Sequence, residues 1–461
     1  MIGLNKIGLN QVQLNRLRLN APFPAYGKMA GGGGSGDGFP VLPGDVTRWH
    51  FGGLTNEMMA AMDDPRIEDA DHKGRFLSFK NFAWKEGSGI SDVYPGFILG
   101  DGVDDFAVTE KELNFEDTYT VYTAFIPFQD DPIRGMIVCG KDFKKDFYLY
   151  YSYTHLTYYT SGLNDFIPVH INQFHIIVCK RDKTNAVIKN LITGESKTFS
   201  VSELINNPGV YYLWRYYQAA SYYAKAAIAG QIIDNGHFTT DEEDENILNW
   251  HKKQYPWLFP DQAWTVTGKT NEDEDRATIA NITGNGNDLI LSNFGFIEGS
   301  GYNEEGEYAG YLVTDGVDDK TASSIFKLGK DFTVVGEWEF LQDINNNSGL
   351  RKTSSFIIRN NASGLSLFIN RTSQTTIVFN VKSLKAFCSN GLLYKNDWTE
   401  QIDTASQLVT SSNSKLLIAF RDDGVTEYDK FAFKNLAIYP MVLSKDDCIK
   451  AYNYLQTLKA K

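Results

Sequence analysis

Glu337-Trp338-Glu339 places two carboxylates on one face of a strand, because side chains alternate with a period of two. Paired acids of this kind can supply the nucleophile and the general acid that cleave a glycosidic bond. Only two acids are present, and Trp338 matches Phe125 in an earlier, similar stretch that has none. His170 and His175 are separated by a span containing Asn172-Gln173, a poor spacing for sharing a metal on either a strand or a helix. No nucleophile elbow, HExxH or phosphate loop occurs. The chain is expected not to be an enzyme.

Hard oxygen ligands are more promising. Asp101-Gly102-Val103-Asp104-Asp105 recurs as Asp315-Gly316-Val317-Asp318-Asp319, and Glu272-Asp273-Glu274-Asp275 adds a further acidic run. Calcium takes such ligands, yet Asp and Gly also build turns through Asp-to-backbone bonds. A structural turn is the expected use, with no cofactor required and Ca2+ as the ion these loops would accept. Cys139, Cys179, Cys388 and Cys448 form no CxxC pair, so neither zinc nor a dithiol redox motif is signalled. Cys139 and Cys179 lie in apolar, strand-like runs and read as small buried hydrophobes.

The remaining chemistry is aromatic. There are 25 Tyr and 30 Phe, and the first half gathers Tyr150, Tyr151, Tyr153, Tyr158, Trp214 and Tyr216 into Tyr-rich runs. Consecutive rings alternate between sheet faces, so about half are expected in a core and half outward. The outward rings would either stack on sugars or pack against neighbouring subunits, since Tyr and Trp join a large apolar face to a polar tip. Subunit packing is the preferred expectation. A net charge of −13 disfavours nucleic acid as a partner. No apolar run is long enough to span a bilayer. The product is therefore expected in the cytoplasm, unless it leaves as part of a particle.

Residues 2–20 repeat with a period of five: Ile2, Leu4, Ile7, Leu9, Val12, Leu14, Leu17 and Leu19 are the apolar positions, and Asn follows each Leu at 4, 9, 14 and 19. That period fits neither helix nor strand, but it suits a chain that turns every few residues. Four units bury too little to fold alone, so residues 1–29 are expected to be an assembly anchor completed by other copies or another protein. Residues 30–45, with four consecutive glycines at 31–34, are expected to be a flexible spacer.

What must position the rest is an internal duplication. Trp49, Thr55-Asn56-Glu57, Asn81-Phe82, Gly87-Ser88-Gly89 and Asp101–Asp105 recur in order as Trp264, Thr270-Asn271-Glu272, Asn293-Phe294, Gly299-Ser300-Gly301 and Asp315–Asp319. Alternating apolar runs between turn signals predict strands at 119–128, 174–179, 187–191, 197–201, 332–340, 356–358, 365–369, 376–381 and 416–420. Thr240 with Glu243, and Ser444 with Asp447, each predict one closing helix. The expected fold class is all-β: two tandem sandwiches at 46–260 and 261–461.

The order Thr270-Asn271, Thr283-Gly284-Asn285-Gly286-Asn287-Asp288-Leu289, Asp315–Asp319, Phe332-Thr333-Val334 and Leu436-Ala437-Ile438-Tyr439 before the Ser444 helix resembles laminin-G-like, concanavalin A-like jelly-roll domains. It is most similar to versions in structural proteins of Bacteroides-infecting phages, including the crAss-like group. The resemblance covers roughly 46–461 and is weaker in the first copy, where Asp71-His72-Lys73-Gly74-Arg75 stands in place of residues 283–287. It implies a two-sheet jelly roll used for glycan binding, protein binding or oligomer packing. The resulting expectation is a virion structural protein assembled in the host bacterial cytoplasm, a head-fibre or capsid-surface appendage component. Its partners would be further copies, other virion proteins and host surface glycan. The alternative is a glycan-binding adhesin or a tail-appendage receptor-binding protein.

Overall fold

The computed structural model describes residues 38–460 apart from 114, 129–134, 140–146, 153, 161–162, 203–208, 216–222, 343–346, 353–354, 362–363, 370–376, 380–382, 403–411 and 420–427. The anchor, including Ile2, Leu4, Ile7, Leu9, Val12, Leu14, Leu17 and Leu19, lies outside the described residues, as do Tyr153 and Tyr216.

The architecture is all-β, two tandem jelly-roll-like sandwiches of antiparallel sheets. In the first module one sheet runs in the order Ser196–Ser200, Asn185–Asn190, His175–Arg181, Tyr119–Pro127, Lys225–Asn235, Ile98–Asp101, Gly89–Ile90, and Asp45–His50 also pairs with Lys225–Asn235. Facing it are Leu163–Pro168, His155–Thr160, Phe147–Ser152, Gly135–Cys139, Tyr212–Leu213, Phe106–Thr109, Phe76–Lys80 and Arg66–Glu68. The second module repeats the plan, with Thr333–Phe340 and Phe431–Tyr439 as its central pair. Among the described residues no helix is long and apolar enough to cross a membrane.

Tyr119–Pro127 shows why the central strand is buried throughout. Its side chains alternate, so Val121 and Phe125 enter the core between the sheets while Tyr122, Ala124 and Ile126 enter a second layer on the opposite face. That second layer is covered by the helix Asp241–Gln254. Thr240 caps this helix in a reciprocal box with Glu243, and Ser444 caps Lys445–Thr457 in the second module by accepting from the Asp447 N–H at 3.1 Å. Both caps satisfy otherwise orphaned donors, as the sequence predicts.

The duplication extends to irregularities. The strand pair Lys225–Asn235 with Tyr119–Pro127 bulges at Ala229, opposite Ala124 and Phe125. The pair Phe431–Tyr439 with Thr333–Phe340 bulges at Lys434, opposite Glu337 and Trp338. Trp338 is thus the counterpart of Phe125. The shared sequence blocks are turn locks. Asn56 bridges to Ile90 through two bonds, Oδ1 from its N–H (2.8 Å) and Nδ2 to its carbonyl (2.9 Å). Asn271 does the same to Tyr302, at 2.8 and 2.7 Å. Gly89 and Gly301 have φ of 148° and 155°. A Cβ there would come within 2.9 Å of Trp84 Cα or 2.8 Å of Phe296 Cα, which is why glycine is needed.

The modules are not independent beads. The layers beneath the two helices merge into one apolar cluster that runs from Tyr122 and Phe174 through Trp257 and Leu258 to Tyr454 and Leu455. Phe174 N–H donates to Tyr454 Oη (3.2 Å), and Tyr439 Oη donates to the Trp257 carbonyl (2.9 Å). Phe174 packs edge-on against Phe259 at 5.5 Å. The boundary segment near 260 contributes to that cluster: Pro256–Leu258 forms a 3-10 turn with Trp257 and Leu258 buried.

Candidate functional site

The acidic loops come first. In each copy the first aspartate folds the loop around its own carboxylate: Asp101 Oδ1 accepts the N–H of Val103 (2.8 Å) and Asp104 (3.2 Å). Asp315 Oδ1 accepts those of Val317 (2.7 Å) and Asp318 (3.3 Å). The last aspartate closes the loop, since Asp105 Oδ2 and Asp319 Oδ2 accept the Asp101 and Asp315 N–H groups at 3.0 and 2.8 Å. Asn81 Nδ2 and Asn293 Nδ2 tie the loops to the neighbouring turn through the Asp104 and Asp318 carbonyls. Burial pushes Asp105 and Asp319 up to about 6. Within each loop one carboxylate oxygen from each aspartate lies within 4.8 Å of the others, close enough to share a cation. The turn bonds nevertheless account for the motif. Asp273 and Asp275 are spent elsewhere, on Thr270 and Lys269.

The aromatic candidates divide between the two faces of their sheet. Tyr151, Tyr158 and Trp214 are in the core between the sheets and offer nothing to a partner, a correction to their reading as interface or glycan aromatics. Tyr151 Oη donates to the Lys225 carbonyl (3.1 Å), the Tyr158 and Tyr119 hydroxyls are 3.0 Å apart, and Trp214 Nε1 donates to the Ala226 carbonyl (2.8 Å). Their phase on the strands decides this, because every second residue of a sandwich strand points inward. Tyr150 faces outward, half-buried, with Tyr148, Tyr159 and Tyr212. Arg215 stacks over Phe106, centroid 4.5 Å away, on the same sheet. His175 is a buried structural histidine, its Nε2 2.9 Å from the His170 carbonyl and its Nδ1 3.1 Å from Asn190 Nδ2.

A cleft of about 200 Å³ opens beside the second module's bulge, lined by Tyr311, Glu337, Trp338, Glu339, Lys385 and Asn396 among others. Tyr311 Oη donates to Glu337 Oε1 at 2.5 Å, Lys434 Nζ stands 3.8 Å from Glu337 Oε2, and Lys385 donates to Tyr452 Oη. Burial alone would raise the Glu337 carboxyl, but the Tyr311 hydroxyl and the Lys434 and Lys385 charges outweigh it and hold the group below the ordinary glutamate range. Burial, then Glu337, pushes the Tyr311 hydroxyl up. Glu337 is therefore held as an anion that accepts hydrogen bonds from its neighbours.

Matching strand registers and helix caps shows how unusual this corner is. The first module places Phe97, Ala124, Ala229 and Leu248 where the second has Tyr311, Glu337, Lys434 and Tyr452. All four apolar counterparts belong to the shared apolar layer. The sequence reading noted Glu337 and Glu339 but missed Tyr311, Lys385, Lys434 and Tyr452. The available signal was the contrast between copies, charge on one where the other is apolar.

No protein-family model matches the chain, and no curated protein matches it in sequence. Among solved structures, the botulinum neurotoxin serotype G binding domain is similar at 11% identity and TM-score 0.35, covering 82% of this chain and 96% of that one. A heptameric SAP-like pentraxin from Limulus polyphemus is similar at 10% identity and TM-score 0.24, over 31% and 73% of the two chains. Trypanosoma rangeli sialidase gives 8% identity and TM-score 0.30, over 84% and 68%. Likenesses at this level say nothing about ligand or role.

Proposed function

We propose that this chain is a non-catalytic virion structural protein of a phage, a head-fibre or capsid-surface appendage component that displays two jelly-roll modules. The observation that carries the reading is the shared apolar layer through Phe174, Trp257 and Tyr454, which makes the two sandwiches one stiff body. A stiff body preceded in the sequence by a glycine-rich stretch and a five-residue repeat suits a tethered appendage. Its partners are further copies of itself and other virion proteins, and its site of assembly is the host bacterial cytoplasm. The test compares the native mass of the full chain with that of a chain lacking residues 1–29. The full chain is expected to be a homo-oligomer and the shortened one a monomer; the same number of copies in both would refute the anchor.

A second reading, a glycan-binding adhesin or tail-appendage receptor-binding protein, is favoured by the polar cleft at Glu337, which the first module fills with apolar side chains. Binding of the full chain to a glycan array, abolished by Glu337→Ala, would select it. A silent array with tight particle association selects the structural role.

A further inference from the structure

The copies also differ at one buried junction between sheet and helix. In the first module Lys180, on His175–Arg181, meets Asp244, on Asp241–Gln254, with Nζ and Oδ2 2.7 Å apart and both side chains almost wholly buried. Lys180 pairs across the sheet with Thr120, and Cys388 pairs in the same way with Thr333. Thr120 and Thr333 hold matching places relative to the shared bulge. Asp244 directly follows Glu243, whose N–H the cap Thr240 accepts, and Cys448 directly follows Asp447, whose N–H the cap Ser444 accepts. Cys388 and Cys448 therefore occupy the positions of the ion pair.

Both cysteines are fully buried in the same apolar cluster. Cys388 Sγ also lies 3.9 Å from the carbonyl of Leu443, the residue just before the helix cap, and 3.4 Å from Thr333 Oγ1. Where one module places a charged pair, the other places two sulfurs.

We propose that Cys388 and Cys448 are an oxidative modification site: a small-molecule disulfide converts them to an intrachain disulfide that staples the helix Lys445–Thr457 to the strand Ala386–Cys388. Cys388, as thiolate, attacks one sulfur of the oxidant, whose S–S bond breaks and releases a thiolate. Cys448, as thiolate, then attacks the Cys388 sulfur of the mixed disulfide and displaces the second thiolate. The two cysteines lose two electrons and two protons, and the oxidant gains both and departs as two thiols. Hydrogen bonding from Cys448 holds the Cys388 thiol below its ordinary range and leaves Cys448 above its own, so Cys388 is the entering nucleophile. Because neither sulfur touches solvent, reaction proceeds as the C-terminal helix lifts or as the chain folds. Cys179, by contrast, sits in the core between the first module's sheets.

The experiment treats the purified full chain with oxidised glutathione, unfolds it in an alkylating reagent and counts modified thiols by intact mass. Loss of two of the four alkylatable thiols and a cross-linked peptide joining residues 388 and 448 are expected. Closing a loop of about 60 residues restricts the unfolded chain and should raise Tm by roughly 5 °C, reversed by reductant. Cys448→Ser should show no such rise. Four thiols still alkylated, glutathione retained on either cysteine without the cross-link, a link that involves Cys139 or Cys179, or an equal rise in the variant would each overturn the proposal.

Discussion

Replacing Asp244 with alanine tests whether the sheet-to-helix tie is as buried and as charged as its geometry says. The carboxylate takes Lys180 Nζ at 2.7 Å, Tyr122 Oη at 2.9 Å and Thr239 Oγ1 at 3.0 Å. Its loss leaves Lys180, 5% exposed, with the Thr239 carbonyl at 2.6 Å and without the carboxylate that it pairs with. Breaking one side of a buried pair costs about 3–5 kcal/mol, and an orphaned buried hydroxyl adds about 1 kcal/mol. Asp244→Ala should therefore lose about 4 kcal/mol in urea unfolding followed by tryptophan fluorescence, with Trp250 on the same helix as a local reporter. Lys180→Met with Asp244→Leu should recover most of that, because apolar replacement of a whole buried pair is often neutral. The second module already does without charges at these positions. A single-variant loss below about 1 kcal/mol, or a double variant no better than the single, would refute the reasoning.

Other expectations follow from the same structure. Trp257→Ala removes the centre of the layer joining the modules and should cost about 3–5 kcal/mol; differential calorimetry should show the single melting transition split or broadened. Gly301→Ala puts a methyl against Phe296 Cα and should lower Tm by several degrees, whereas Gly299→Ala, with open space at its Cβ but φ of 85°, should cost less. Asp319 has a folded pKa raised to about 6 by burial, so its contribution favours the fold at low pH and is lost as pH rises through about 6. Asp319→Asn should accordingly match or exceed the parent Tm at pH 8 and lose that advantage below pH 5. Glu337→Gln should lower the apparent pKa of Tyr311 in an ultraviolet titration, because the neighbouring anion helps to hold that phenol up; no change would remove the hydrogen bond between them.

The sequence by itself determined the all-β class, the doubling of the module and the two capped helices. Each of these is a local rule: alternation at period two, a hydroxyl three places before an acid, and recurring Asn, Gly and Asp at turns. Those rules also gave the structural reading of the Asp101 and Asp315 loops, whose bonds run within a few residues. Local rules do not say which phase of a strand faces inward. Tyr151, Tyr158 and Trp214 read as contact aromatics, and only the packing of two sheets showed that they are core. Nor do they bring distant segments together. The cleft draws Tyr311, Glu337 and Lys385 from three strands or loops, and Cys388 and Cys448 share one apolar cluster only because a helix returns across its sheet. The merging of the two modules through Trp257 was likewise a tertiary decision, because nothing local tells Trp257 and Leu258 that two apolar faces will close over them.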